Sequence, residues 1–386
     1  MPLHLVITEI FVAIAVLAAL VHTCLKGENL WRRSPLTIAI FGFTLAALLS
    51  INAAPNKWFS FFNFFFTVVQ YVLIYFLTLS FIRGERERRN ALYAFLGGAV
   101  CVALYGLCQY SFLTDITMHD WVDPESFPLL KRRMYSTLYN PNLLSAYLLM
   151  VMGVSAAFSI WTKQKRHQYM YGILFFLFAL CLVLTYSRGA WISVLAMVFF
   201  FGLVWNRKLW LMFLPFLLVL VFYHGGIVAR FFSMFSQADT STTLRFALWD
   251  STLYMIQDYP FFGIGWDSYW LVYPEYNYFI QDANIIIFHA HNMYLNLAAE
   301  TGLIGCSFYL WFFFGHGWYG MKFLSNNHSP FSKSIAMGMV AVICSIAISG
   351  LSDYDLFAIQ ISLCFWFLCG IFANVYVENK EQQLIK

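Results

Sequence analysis

Charged residues are scarce in this sequence. Asp, Glu, Lys and Arg make up 11% of the 386 residues and hydrophobic residues make up 61%, whereas an ordinary soluble domain is about 25% charged. A soluble fold of this length could not bury so much apolar surface. The sequence also contains no Walker lysine motif and no GxGxxG segment after a strand. We therefore expect an integral membrane protein without a nucleotide-binding domain, and the net charge of +4 gives no indication of nucleic-acid binding.

Paired cysteines are missing as well. All eight cysteines fall in apolar segments and none forms a CxxC motif, so neither a disulfide framework nor a cysteine-based metal site is predicted. The first apolar segment, 3–25, has no basic start and no clear small-x-small cleavage site. It is interpreted as a membrane span and not as a signal peptide.

Apolar segments of about 20 residues, the length that spans a bilayer, recur along the chain. We predict an all-α, polytopic transmembrane helical bundle of about 11–12 spans, forming one integral membrane domain over residues 1–386. The predicted spans are 3–25, 35–53, 58–82, 91–113, 142–161, 169–187, 190–205, 209–224, 297–319, 332–350 and 355–377.

The distribution of basic residues predicts the orientation of these spans. One set of alternate loops holds sixteen Lys and Arg residues, and the other set holds seven. Cytoplasmic loops carry the excess of basic residues. The amino terminus is therefore predicted to lie outside and the carboxyl terminus in the cytoplasm.

Two segments on the outer side are too long to be simple connectors. The smaller, 114–140, contains the basic cluster that ends at Arg133. The larger, 225–296, shows helical patterning at 243–257 and a turn at 260–265. We expect the larger outer loop to carry the active site.

Outward-facing arginines are the first candidate site residues. Arg188 lies in a tight connection between two apolar segments, and Arg245 lies in the helical part of the large loop. Arg188 is either an interface anchor or a phosphate ligand, because a guanidinium at a membrane boundary needs water or an anion. Arg245 is either a solvated surface residue or a second phosphate ligand, and Arg133 shares its side of the membrane.

A histidine pair closes the large loop in the sequence His289-Ala290-His291-Asn292. Asn292 is predicted to cap the following helix. The positive end of that helix would keep His291 available as a base and would attract phosphate. The alternatives are a structural histidine and an HxH metal pair, although the nearby acids lack a recognised ligand spacing.

Three further residues have a structural and a functional interpretation each. Glu300 lies inside a predicted span, where it forms a structural ion pair or belongs to the site. Asp353, in the last outer turn, either caps a helix or orients His291. Trp249 belongs to an aromatic-rich loop, which fits a glycan groove or an interfacial belt.

These residues favour transfer from an activated donor. Without an energy-carrying cytoplasmic domain, the donor must arrive already activated, as a glycan on a polyprenyl diphosphate does at the outer face of a bacterial membrane. Arginines would stabilise the diphosphate leaving group. A histidine would remove the proton of an acceptor hydroxyl, and no metal is required.

Six motifs follow one another in a specific order between residues 133 and 305. They are Asn140-Pro141-Asn142, Ser187-Arg188-Gly189, Arg245 with Trp249, Pro260 with Gly263-Ile264-Gly265, His291-Asn292-x-Tyr294-Leu295, and Glu300-x-Gly302-Leu303-Ile304-Gly305. This order resembles that of the O-antigen ligase and O-antigen polymerase superfamily.

The resemblance implies a GT-C-type bundle in the bacterial inner membrane, with its site facing the periplasm. It implies a metal-independent, inverting transferase that needs no cofactor and uses undecaprenyl diphosphate-linked glycans. The catalytic residues would be Arg188, Arg245 and His291. The residues predicted to bind donor or acceptor are Arg133, Asn142, Trp249, Asn292, Glu300 and Asp353.

The acceptor divides the superfamily. Ligases transfer to the lipid A core, polymerases extend lipid-linked repeat units, and relatives glycosylate pilin. One dominant outer loop and the lack of a large terminal domain favour a ligase, with a polymerase as the alternative. A secondary transporter would show repeated halves and ionisable groups at the midplane, and the sequence has no internal repeat. A structural scaffold would not explain the outward basic and histidine residues.

Overall fold

The computed structural model describes residues 3–26, 31–112, 132–214, 217–218, 240–277, 286–326 and 328–385. These residues form helices joined by short turns, and no strand occurs among them. Seven of the helices are long and apolar enough to cross a membrane, and three shorter helices are also apolar. The predicted all-α, polytopic helical bundle is confirmed.

The bounds of the helices follow the apolar segments closely. They are α1 (Leu3–Lys26), α2 (Thr37–Ser50), α3 (Lys57–Phe64), α4 (Gln70–Phe81), α5 (Gly84–Phe112), α6 (Pro141–Trp161), α7 (Lys165–Leu184), α8 (Arg188–Val204), α9 (Thr240–Asp258), α10 (Tyr269–Val272), α11 (Met293–Leu324), α12 (Pro330–Ser349) and α13 (Ile359–Ile385). A π-helical turn, Phe65–Val69, joins α3 to α4 in one apolar helix.

Ten of the eleven predicted spans coincide with the seven long and three shorter apolar helices. Half of the remaining one, 209–224, lies outside the described residues, and its start belongs to a 3-10 turn, Arg207–Met212. The predicted connection around Arg188 is wrong in one respect. Ser187 adopts an extended N-cap conformation, so Arg188 is the first residue of α8 and not a loop residue.

Two helices extend furthest beyond one end of the apolar segments that predicted them. α5 begins at Gly84, and Glu85 and Glu87 in its first turn suit the positive end of a helix. α13 continues to Ile385. The two extensions meet, because the buried guanidinium of Arg88 pairs with Glu378 of α13.

The centre of the bundle is formed by α6 and α12, the most buried of the candidate spans. Small residues allow their close approach: a Cβ atom on Gly153 would lie 3.3 Å from the Cβ atom of Ala341. Packing through small residues is typical of helices in membranes, where lipid gives little apolar driving force for association. The turns that line the cavity described below lie at one end of these two helices.

The described part of the large loop is interlocked with α11. Gly302 interrupts α11 with φ +68° and ψ 176°. The freed carbonyl oxygen of Ala299 accepts a hydrogen bond from the N–H of Ile264 at 2.8 Å, and the N–H of Leu303 donates to the Pro260 oxygen at 2.8 Å. The predicted turn at 260–265 is therefore present, and it fixes the end of α9 against the bundle.

Trp266 provides a second anchor for this loop. Its Nε1–H donates to Oγ1 of Thr67 at 3.0 Å, and its carbonyl oxygen accepts from the Ser60 hydroxyl at 2.6 Å. Thr67 lies in the π-helical turn between α3 and α4. The described loop residues thus pack on the membrane helices as part of one bundle.

Candidate active site

A cavity of about 160 Å³ lies at one end of the bundle, where α6 and α8 begin and α12 ends. Its walls come from five separate stretches of the chain. The lining residues are Arg133, Asn142, Tyr186, Ser187, Arg188, Gly189, Arg245, His291, Ser349, Ser352 and Asp353. Six of the nine predicted site residues are therefore brought together.

Three guanidinium groups line this cavity. Arg188 is buried at the amino-terminal end of α8, and Arg245 is half-buried in α9. Arg133 is buried as well, and its Nε–H donates to the Thr185 carbonyl at 2.8 Å. The N-cap side chain of α8 makes no capping hydrogen bond, so the positive end of a helix adds to the arginines at the cavity wall. The arrangement suits an anion.

His291 is held at the cavity by its backbone and by the helix that follows. Its φ of +48° lies in the left-handed region, which non-glycine residues adopt rarely. Asn292 caps α11 as predicted, accepting from the N–H groups of Tyr294 and Leu295 at 3.0 Å. Its amide donates to the Leu351 carbonyl at 3.1 Å. The cap therefore ties His291 to the turn that carries Asp353.

A chain of polar contacts leads from His291 through the cavity wall. Nδ1 of His291 lies 3.4 Å from Oδ1 of Asp353, which is long for a hydrogen bond. Oδ2 of Asp353 accepts from the Asn142 amide at 2.6 Å, and Oδ1 of Asn142 accepts from Arg133 at 2.8 Å. The orientation of Asn142 is thereby set from both sides.

Asp353 is ionised at neutral pH in this environment. Burial raises the pKa of its carboxyl, but the interaction with His291 and the charges of Arg245 and His289 outweigh burial and hold the pKa below its usual range. The cavity therefore combines three positive groups with one carboxylate, before any charge on His291.

His289 packs against His291 and accepts a hydrogen bond from its backbone. The two rings lie 4.2 Å apart, and Nδ1 of His289 accepts from the backbone N–H of His291 at 3.2 Å. Burial lowers the pKa of His289 to about 3, the charges of His291 and Arg245 act in the same direction, and Asp353 opposes them. His289 is therefore neutral at pH 7.

The same residues form the group that could hold a metal ion. Ligand atoms of His289, His291 and Asp353 lie within 4.8 Å of one another. The sequence spacing did not suggest this grouping, because the acid comes from the turn after α12. Nδ1 of His289 is already engaged by the backbone of His291, which leaves its other nitrogen for an ion.

Three predicted binding residues lie outside the cavity lining. Asn292 is the helix cap described above. Trp249 packs against the apolar cluster around Leu248 on α9. Glu300 is buried in α11, and its carboxylate accepts from the Tyr354 hydroxyl at 3.2 Å. The expected structural ion pair of Glu300 is not formed with any described residue.

Several lining residues were missed in the sequence. Tyr186 has φ +54°, a second left-handed residue at the site. Gly189 approaches the turn after α12 so closely that a Cβ atom would lie 2.5 Å from Oγ of Ser352. Gly189 belongs to the motif Ser187-Arg188-Gly189, which could have indicated it as a site residue. Ser349 and Ser352 come from a distant stretch, and no motif indicated them.

Comparison with known proteins agrees with the family resemblance of the sequence. Residues 173–310 match the O-antigen ligase family model, a range that includes Arg188, Arg245 and His291. A curated relative, the ComP-specific O-oligosaccharyltransferase of Acinetobacter baylyi, is 24% identical over 265 residues. The alignment covers 63% of this chain and 45% of the relative, so the chain spans less than half of the relative's length. Over these ranges the chain is therefore similar to the O-antigen ligase-type superfamily and to an O-oligosaccharyltransferase.

Proposed function

We propose that the protein transfers a glycan from undecaprenyl diphosphate to a hydroxyl group of the lipid A core. The reaction takes place at the periplasmic face of the bacterial inner membrane, where the loops with few basic residues lie. The observation that carries the proposal is the cavity in which three arginines face one histidine.

The donor diphosphate suits the charge and size of this cavity. Three guanidinium groups and one carboxylate give two net positive charges, which match the two negative charges of a diphosphate diester. Arginine forks bind phosphate oxygens in pairs, and they stabilise the charge that develops on the leaving group. A volume of about 160 Å³ is below the roughly 300 Å³ at which pockets for whole small ligands begin. The cavity therefore holds the reacting groups, with the glycan and the prenyl chain outside it.

His291 is the base for the acceptor. Because Nδ1 of His291 faces Asp353, Nε2 is the nitrogen that takes the proton of the acceptor hydroxyl. The hydroxyl oxygen bonds to the anomeric carbon as the bond to the diphosphate oxygen breaks, and the undecaprenyl diphosphate leaves with the electron pair. Attack from the face opposite the leaving group inverts the anomeric configuration. Asp353 orients the imidazole and stabilises its protonated form, so no metal is needed.

A protein hydroxyl is the second candidate acceptor. The curated relative, a ComP-specific O-oligosaccharyltransferase, favours it. The chemistry is the same for the lipid A core, a repeat unit or a protein hydroxyl, since each presents an alcohol to His291.

The acceptor is tested in proteoliposomes that contain undecaprenyl diphosphate glycan. Separate reactions receive lipid A core, no further acceptor, or a pilin-like protein, with His291→Ala as the inactive control. The proposal expects glycan on the lipid A core. Longer lipid-linked glycans alone would identify a polymerase, and glycan on the protein alone would identify an oligosaccharyltransferase.

A further inference from the structure

A second cavity, of about 240 Å³, lies at the opposite end of the bundle. The helix α6 connects the two cavities: Asn142 in its first turn lines the candidate active site, and Phe158 and Thr162 at its other end line the second cavity. The remaining walls come from the start of α5, the connection between α6 and α7, and the start of α12. The two cavities share no lining residue.

Positive potential in the second cavity has two independent sources. Arg89 and Lys163 provide basic side chains, together with the imidazole of His167. Two helices also begin at the wall, α7 after Gln164 and α12 after Ser329, and the positive ends of helices attract phosphate. Glu85 pairs with Arg89 and offsets its charge. The remaining positive charge of the cavity comes from Lys163 and the helix ends.

The floor and one wall of the second cavity are aromatic. The guanidinium of Arg89 lies 5.1 Å from the ring centre of Phe331, which holds it at the cavity. Phe158 and Tyr171 are buried below. The apolar seam under Phe158, between α6 and α12, has a volume of about 10 Å³, about enough for one water molecule. An acyl chain therefore cannot continue inward from the cavity.

The surroundings place the second cavity at the edge of the bilayer. Tyr93 at its rim is 41% exposed, as expected of an aromatic residue at the membrane interface. Further along α7, Ile173 and Phe176 are 68% and 64% exposed, which suits contact with lipid chains. This end also belongs to the set of loops with sixteen basic residues, the set predicted to be cytoplasmic.

We propose that the second cavity binds the phosphate head group of an anionic phospholipid of the cytoplasmic leaflet, with the acyl chains remaining in the bilayer. Basic pockets between spanning helices on this side of a membrane suit anionic head groups. A volume of about 240 Å³ fits a head group better than a whole lipid. The proposal does not depend on the transfer reaction, because the site lies at the other end of the bundle.

The test measures thermal stabilisation of the delipidated full-length protein in neutral detergent. The probes are short-chain phosphatidylglycerol, short-chain phosphatidylcholine and inorganic phosphate. The test variant is Arg89→Gln with Lys163→Gln. The matched control is Arg207→Gln with Lys208→Gln, which removes the same charge from exposed residues of the same set of loops and outside the cavity.

Saturable stabilisation by phosphatidylglycerol is expected for the wild type and the control, with little effect of phosphatidylcholine. The apparent affinity of the test variant should fall about tenfold or more, since basic residues close to the membrane surface attract anionic lipids. Equal affinity in both variants would show diffuse attraction and overturn the site. Equal stabilisation by phosphatidylcholine, or by phosphate at the same concentration, would overturn the anionic-lipid assignment.

Discussion

At the scale of single residues, the orientation of His291 depends on a chain of contacts through three neighbouring side chains. Asp353 faces His291, Asn142 donates to Asp353, and Arg133 donates to Asn142. Because Arg133 occupies the oxygen of the Asn142 amide, the nitrogen of that amide is the atom presented to Asp353. We therefore propose Asn142 as a positioning residue that acts on the proposed base, His291, through Asp353.

Replacing Asn142 tests this role. Asn142→Ala leaves Asp353 free to rotate away from His291, and a displacement of about 1 Å at a reacting group lowers rates roughly 100-fold. We expect a fall in kcat with little change in KM for the donor, measured as initial rates in proteoliposomes. Asn326→Ala, an exposed asparagine at the other end of α11, should leave both constants unchanged. A loss confined to KM would assign Asn142 to donor binding instead.

The depressed pKa of His289 gives a prediction for acid stability. The folded protein holds His289 neutral down to about pH 3, whereas the unfolded chain binds a proton at about pH 6.5. The unfolded state then binds more protons between these values, so stability falls as pH decreases below about 6.5. His289→Gln should remove part of this loss, on the order of 1 kcal/mol between pH 7 and pH 5. The measurement compares thermal unfolding of both proteins in detergent at the two pH values, and an unchanged difference would contradict the assignment.

At the scale of elements, the motif at 260–265 and the motif around Gly302 contact each other and stabilise one another. The turn at 260–265 and the break in α11 at Gly302 exchange backbone hydrogen bonds. A Cβ atom on Gly302 would overlap the carbonyl group of Phe261, and φ at Gly302 is +68°. This contact holds the end of α9, and α9 carries Arg245 to the cavity.

Gly302→Ala should therefore weaken both the fold and the site. A backbone with φ +68° and ψ 176° is essentially limited to glycine and costs an L-residue on the order of 1–3 kcal/mol, and the overlap with Phe261 adds to it. We expect a lower Tm and a lower transfer rate than in the wild type. Gly97→Ala is the matched control, because its Cβ would have no neighbour within 4 Å and alanine favours a helix interior. A Tm of Gly302→Ala equal to that of the control would contradict this account of the break.

At the scale of the whole molecule, the bundle has two chemically different ends. Residues from the loops with few basic residues build the candidate active site. Residues from the loops with many basic residues line the second cavity. The long apolar segments predicted most of the helices, because each has to satisfy its backbone inside a bilayer. The charged extensions of α5 and α13 were not predicted, since ion pairs such as Arg88 with Glu378 depend on tertiary contact.

The site was likewise predicted only in part, because local sequence patterns indicate some of its residues and tertiary contacts determine the others. The residue types and the motif order indicated Arg188, Arg245 and His291, and the fold places them at one cavity. The contact between Asn142 and Asp353 joins residues that are 211 positions apart in sequence, so no local pattern contains it. Asn292 and Glu300 belong to the same motifs but hold α11 in place.

The most direct test of the central claim is the initial rate of glycan transfer in proteoliposomes, with and without a chelator. The account predicts that His291→Ala loses about 100-fold or more, the usual contribution of a positioned base. Arg188→Lys and Arg245→Lys should lose much of the activity because lysine cannot form the paired hydrogen bonds of a guanidinium. The wild-type rate should not respond to the chelator. A wild-type rate in His291→Ala, or a loss on chelation that added zinc restores, would contradict the account.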